Sequence, residues 1–233
     1  MNDSLKSSLL VAALAFVFGF LGAAAWSYSG LGDARTRAYL LDNPELLPQM
    51  ADAYQQAEAD KRLTNVRGDV MEPFPGAILG NPNGSKILVE FTDYNCPYCR
   101  ASMGDLTQLI ESDPELKVVV REWPIFQGSD LAARMALAAA KQGKYAEFHD
   151  AMFQLSPATP ESINQAAQQV GLDMVQAQKD GASSEVEQEL ARNYSLAQQL
   201  GFTGTPSWVT EHSIFEGAIG LEGLRRSLEP VGE

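Results

Sequence analysis

Three kinds of apolar pattern run along this chain. The first is continuous: Ser7 to Gly32 carry no charge, and Leu9 to Tyr28 is almost wholly apolar. The second has three-and-four spacing. Leu46, Leu47, Met50, Tyr54 and Ala57 fall on one face of a helix, and Gln55, Gln56, Glu58 and Asp60 take the other. Asn43 is placed to cap that helix, with Pro44 at its first position. The third is the short apolar block. Ile87-Leu88-Val89-Glu90-Phe91-Thr92 and Lys117-Val118-Val119-Val120-Arg121-Glu122-Trp123 read as strands, the second ended by Pro124.

These blocks order the rest. Residues 66–85 are rich in Gly and Pro and read as loop, with a short edge strand near Ala77 to Leu79. A helix to about Glu111 separates the two strands, which predicts a β-α-β unit with a parallel pair. From about 128 to 200 the chain is helical, with starts at Ser129, Lys144, Thr159-Pro160-Glu161 and a possible capping box of Ser184 and Glu187 that runs to Gly201. Strand character returns at Ser207 to Thr210 and at Ser213 to Glu216, and Leu221 to Leu228 closes the chain as a helix. The expected organisation is α/β: an N-terminal segment over 1–32, a helical extension over 33–65, and a domain over 66–233 with its helical insert at about 128–200.

Composition narrows the function. A hydrophobic fraction of 45% is enough for a real core. A net charge of −13 excludes nucleic acid as a partner, since phosphate binding needs clustered Lys and Arg. The N-terminal segment fits two readings. One is a cleaved signal peptide, with Lys6 ahead of the apolar run and Ala23-Ala24-Ala25 as the cleavage site. The other is a single membrane anchor, favoured because the uncharged run passes beyond the alanines and reaches the roughly 20 residues of a span, with Trp26 and Tyr28 at an interface. Either reading exports residues 33–233, into a compartment where disulfides persist. The helical extension either packs on its own domain or serves self-association.

The only two cysteines are Cys96 and Cys99, in Cys96-Pro97-Tyr98-Cys99 at a strand-to-helix junction. A pair this close is redox-active or half of a metal site. A metal site needs more ligands than His149 and His212 supply at useful spacing, so no metal is expected. The helix N-terminus lowers the pKa of a thiol placed there, which makes Cys96 the nucleophile. Cys99, one turn further in and expected to be less exposed, would resolve the mixed disulfide. Pro97 suits the first helical turn. Gly204-Thr205-Pro206 opens a strand; with a cis proline it would set the Thr205 backbone beside Cys96. His149 reads as a helix-surface or packing residue and His212 as a turn residue. Phe148, Phe153, Phe202 and Trp208 are core candidates, while Tyr94, Trp123 and Trp208 could line a peptide groove.

Strand, Cys-Pro-Tyr-Cys, helix, strand, helical insert and Thr-Pro hairpin together resemble the thioredoxin-like proteins of the DsbA type, over about Lys86 to Glu229. The resemblance implies that Cys96 and Cys99 are the active pair, that Pro206 is the cis-proline, and that Glu90, six positions before Cys96, is the family's acidic residue. Glu90 sits in apolar company, so burial would raise its pKa and let it pass a proton to or from Cys99. Thr205, Pro206, Pro97 and Tyr98 would meet the substrate. Tyr98 departs from the His that the best-known oxidases of the family carry between their cysteines, which implies a less oxidising disulfide. Tyr39-Leu40-Leu41-Asp42-Asn43-Pro44-Glu45-Leu46 resembles the N-terminal extension of the ScsC-like subgroup, some of whose members oligomerise through it.

The expectation is therefore an exported thiol:disulfide oxidoreductase of the bacterial periplasm, anchored in the inner membrane by its N-terminal segment and leaning to isomerase or reductase. It would act on protein substrates, be recycled by a membrane redox partner, and need no cofactor beyond its own dithiol. The alternatives are a disulfide-donating oxidase and a Cu(I)-binding protein that uses the two thiolates.

Overall fold

The computed structural model describes residues 3–28 and 31–229. The chain divides into two compact units, Met1–Gln56 and Ala57–Glu233. The first holds α1 (Asp3–Tyr28), α2 (Leu31–Asp42) and the start of α3 (Leu46–Met71). Asn43 does not begin a helix there. Its side chain donates to the Tyr39 carbonyl at 2.7 Å, so it closes α2, and α3 starts three residues later. Leu47, Met50 and Tyr54 are exposed.

Among the described residues no helix is long and apolar enough to cross a membrane. The expected N-terminal membrane segment is thus without support. That expectation leaned on the unbroken run from Leu9, and the side chains of Lys6, Leu9 and Leu10 lie outside the described ones. The remainder is lightened by Gly19, Gly22 and Ala23-Ala24-Ala25.

The second unit is built on a mixed five-stranded sheet in the order β1-β3-β2-β4-β5. Its strands are β1 (Ile78–Gly80), β2 (Lys86–Thr92), β3 (Leu116–Glu122), β4 (Ser207–Val209) and β5 (Ile214–Glu216). Only β2 and β3 are parallel, joined through α4 (Pro97–Ser112) as the β-α-β pattern requires. The helical insert is α5 (Ser129–Lys141), α6 (Tyr145–Gln154), α7 (Pro160–Gln169), α8 (Met174–Gly181) and α9 (Ser184–Leu200), and α10 (Gly220–Ser227) follows the hairpin. Thr159 caps α7 through a capping box with Ser162. For α9 the cap is Ser183, one residue before the expected position.

Side chains alternate across the central strands, so two cores form. Leu88, Val118, Val120 and Trp208 pack with Leu106 and Leu109 of α4, Leu224 of α10 and the insert helices. Val89, Phe91, Val119 and Val209 pack with Leu196, Ala197 and Leu200 of α9 and with Leu63, Val66 and Val70 of α3. This second core corrects the start of the 66–85 loop reading: α3 runs on to Met71, and the compact unit begins at Ala57, while the expected edge strand is β1. Val66 and Val70 continue the face begun by Leu63, and burying three large side chains outweighs the ~1 kcal/mol that Gly68 costs a helix.

Candidate active site

The site lies where β2 ends. Asp93 stops the strand and organises the turn. One carboxylate oxygen accepts from the backbone N–H of Ile125 and Phe126 at 2.7 and 2.8 Å, and the other from Asn95 N at 2.8 Å and from the Ser129 hydroxyl at 2.5 Å. Asn95 then grips the insert: its Oδ1 accepts from Ala158 N at 2.8 Å. The loop after β3 and the insert are thus tied to the residues just before the cysteines.

Cys96 is the N-cap of α4, with Pro97 in the first turn. Its sulfur accepts from Cys99 N at 3.4 Å, so a thiol does the work of a capping hydroxyl. On its other side the Cys96 sulfur lies 3.1 Å from the Thr205 carbonyl, to which it donates when protonated. The Thr205–Pro206 peptide is cis. Antiparallel pairing of β4 with β2, with Trp208 opposite Glu90, brings the Thr205-Pro206 segment to this end of the sheet. The structure therefore gathers Cys96, Cys99, Thr205 and Pro206 at one place.

The two thiols are unequal chemically, though not in exposure. Both are free, and both are covered, at 1% and 0% exposure. The expected difference in accessibility is absent because the Thr205 backbone lies over Cys96. The Cys96 pKa is lowered to about 6: the Cys99 thiol donates to it, burial opposes, and the Thr205 side chain and the backbone N–H groups of Cys99 and Tyr98 add to the lowering. Burial pushes Cys99 far up, and Cys96 and Glu90 reinforce the shift. At neutral pH Cys96 is the thiolate and Cys99 the thiol.

Glu90 is fully buried on the face it shares with Leu88 and Thr92, and neither carboxylate oxygen has a hydrogen-bond partner. Desolvation raises its pKa to about 8; the Thr92 hydroxyl beside it works against the rise, and the negative charge of Cys96 adds to it. Pro97 and Tyr98 are exposed, Tyr98 at 64%. Tyr94, Trp123 and Trp208 do not line an open groove. All three are buried, and Trp208 stacks on Phe215 and donates to the Gly217 carbonyl. Exposed apolar side chains near the site include Tyr98, between the cysteines, and Ile125 and Phe126, whose backbone N–H groups are held by Asp93.

Several residues escaped the sequence reading. Glu122, Tyr145 and His149 form a buried polar cluster with Tyr94. His149, read as a surface or packing residue, is fully buried. The one available signal was the pairing of Tyr145 and His149 at i, i+4 beside an acidic strand end. His212 lies at the β4–β5 turn, as its position in the hairpin implied. Among the described residues no group of three or more His, Cys, Asp or Glu is placed to hold a metal ion.

Residues 87–229 match the family described as DSBA-like thioredoxin domain. A thioredoxin-like oxidoreductase from Silicibacter pomeroyi shares 45% identity, with a TM-score of 0.62 over 64% of this chain and 88% of that one. The thiol-disulfide exchange protein alpha-DsbA2 from Wolbachia pipientis shares 28%, with a TM-score of 0.68 over 75% of this chain and 96% of that one. A linker-deletion mutant of Proteus mirabilis ScsC, at 24% identity and a TM-score of 0.69 over 87% of this chain and 93% of that one, shares the fold. Among curated proteins, a Na(+)/H(+) antiporter NhaA of Herminiimonas arsenicoxydans is 28% identical over 76% of this chain, and the chain spans 29% of that protein's length.

Proposed function

The chain belongs to the DSBA-like thioredoxin domain family, and from that premise we propose that it exchanges disulfides with protein substrates through Cys96 and Cys99, leaning to isomerase or reductase. The observation that carries this reading is Cys96 as the cap of α4, its sulfur facing N–H donors and the Thr205 carbonyl, with Cys99 one turn behind. The Cys96 thiolate attacks a substrate disulfide, forms a mixed disulfide and expels one substrate thiolate. Cys99 then attacks the Cys96 sulfur, closes the Cys96–Cys99 disulfide and releases the second thiolate. The ionised form of Glu90, a minority below its pKa of about 8, takes the Cys99 proton as Cys99 attacks, and Glu90 returns it when Cys99 leaves in the reverse direction. Thr205 and Pro206 hold the substrate backbone, and Pro97 and Tyr98 form the exposed lip beside the sulfur. No cofactor enters, because the dithiol carries both electrons.

The isomerase or reductase lean rests on Tyr98, which gives the Cys96 thiolate no cationic neighbour of the kind a His would supply. On this reading the chain works in the bacterial periplasm, exported by its apolar N-terminal segment and recycled by a membrane redox partner. The first unit serves association between copies. The deciding test is the reduction potential of the pair. A value near or below about −200 mV fits a reductase or isomerase, and one near about −120 mV means a disulfide donor. Cys96→Ser abolishes turnover and Cys99→Ser traps covalent substrate complexes; a folded Cys99→Ser protein that traps none argues against the mechanism.

A further inference from the structure

Four buried polar side chains sit below the segment that leads to Cys96, and the exchange chemistry uses none of them. Glu122 ends β3, opposite Thr92 in the parallel register. Tyr145 and His149 stand one turn apart on α6 of the insert. Tyr94 comes two residues before Cys96. The Tyr94 hydroxyl donates to Glu122 Oε1 at 2.8 Å, and the Tyr145 hydroxyl donates to the same oxygen at 2.6 Å. The Tyr94 oxygen also lies 3.0 Å from His149 Nδ1. A phenol has one proton, and here it goes to Glu122, so the His149 Nδ1–H is the donor to Tyr94. That assigns the tautomer, and burial keeps the imidazole neutral by lowering its pKa to about 3.

Tyr94 is therefore gripped from both sides, by the sheet through Glu122 and by the insert through His149. Its ring adds contacts to the same helix, with centroids 5.4 Å from His149 and 5.0 Å from Phe153. Its carbonyl accepts from the Ser156 hydroxyl at 3.2 Å, and that hydroxyl also accepts from Arg100, the residue after Cys99. A fully buried carboxyl costs several kcal/mol to desolvate, so Glu122 needs its donors. Tyr145 and Tyr94 satisfy the same oxygen. Only Tyr94 also belongs to the segment that carries Cys96.

We propose that Tyr94 is a positioning residue for Cys96: anchored by Glu122 and His149, it fixes the turn at 93–95 so that the sulfur caps α4 and lies on the Thr205 carbonyl. This rests on the exchange function proposed above, in which Cys96 is the attacking sulfur. The insert then does more than roof the sheet, because its α6 sets the geometry of the nucleophile.

The shared oxygen supplies the control. Tyr94→Phe and Tyr145→Phe each remove one donor from Glu122, and only the first releases the cysteine segment. The rate of Cys96 alkylation by iodoacetamide, followed from about pH 4 to about pH 9, gives the thiolate midpoint with no partner protein. The midpoint is expected to rise by about half a unit or more in Tyr94→Phe, roughly a threefold loss of thiolate below the midpoint, and to stay in place in Tyr145→Phe. An unmoved midpoint in Tyr94→Phe, or equal shifts in both, overturns the proposal. Should Tyr94→Phe fail to fold, His149→Leu and His149→Gln carry the same test. Loss of the donor raises the midpoint and an amide donor restores it, whereas equal midpoints in the two overturn the proposal. Turnover of a disulfide substrate by the parent chain is read alongside. An inactive parent counts against the exchange function, and an active parent with unmoved midpoints counts against the role of Tyr94 alone.

Discussion

Arg121 and Glu90 lie on neighbouring strands, each sealed from solvent, and their surroundings differ in every respect. Arg121 faces α3 and α9. It donates to the carbonyls of Asp69, Val70 and Glu72 at the end of α3, to Glu189 at 2.7 Å and to Asn193 at 3.1 Å. Every part of the guanidinium is used, and its charge is matched by Glu189. Glu90 faces the other core with no partner for either oxygen. A buried charge with all its bonds made holds elements together. A buried acid left without them keeps its proton and is free to exchange it. The same sheet thus carries a structural rivet on one face and a proton store on the other.

The largest test of this contrast is Arg121→Met. It leaves Glu189 buried without its cation and the carbonyls of Asp69, Val70 and Glu72 without their donor, so it should cost about 3–5 kcal/mol in denaturant unfolding. Exchange activity should fall only with the folded fraction; a fully stable variant would break the comparison. Glu90→Gln should do the reverse. Turnover drops by about tenfold or more, read as slow release of the mixed disulfide, with no loss of stability at neutral pH. The sign follows from the raised pKa. The folded chain holds the Glu90 proton up to about 8 and the unfolded chain only to about 4.5. The ionisation of Glu90 therefore adds no cost below about 4.5, and the stability of the folded chain falls as pH rises from there to about 8. Compared with the parent, Glu90→Gln should gain stability across that window, by at most about 1.4 kcal/mol per unit. Parallel stability curves would mean that Glu90 is ionised from low pH. The smallest effect should come from Asp113→Asn, which removes a partly exposed pair with Lys86 at 2.7 Å and should stay within about 1 kcal/mol, less at high salt.

The same contrast explains what could be read beforehand. Cys96, Cys99 and the strand ending at Thr92 announce themselves locally, through spacing and an apolar run. Glu90 was legible because its neighbours in sequence are apolar. Arg121 and Glu122 look alike from the chain: two charged residues ending a strand, at its edge for all that composition says. Their burial depends on Val70, Glu189, Tyr145 and His149, which lie dozens of residues away and arrive only when α3 and the insert dock. The end of α3 was misread for a similar reason. Gly68 signals a break locally, while Val66 and Val70 are held by a sheet that single-residue signals do not contain. The lining of the site was misplaced as well. Trp208 lies in the core, as its first reading has it, and the alternative groove lining of Tyr94, Trp123 and Trp208 is absent because all three are buried.

The borders of the sheet have a consequence of their own. β1 and β5, its two outermost strands, are three residues long each, against seven in β2 and β3. Under the proposed function the clients of this protein are incompletely folded chains, whose unpaired strands look for an edge to extend. Borders this short offer such a strand almost nothing to pair with. On that reading, a protein built to touch unfolded chains is spared from growing into a shared sheet with them.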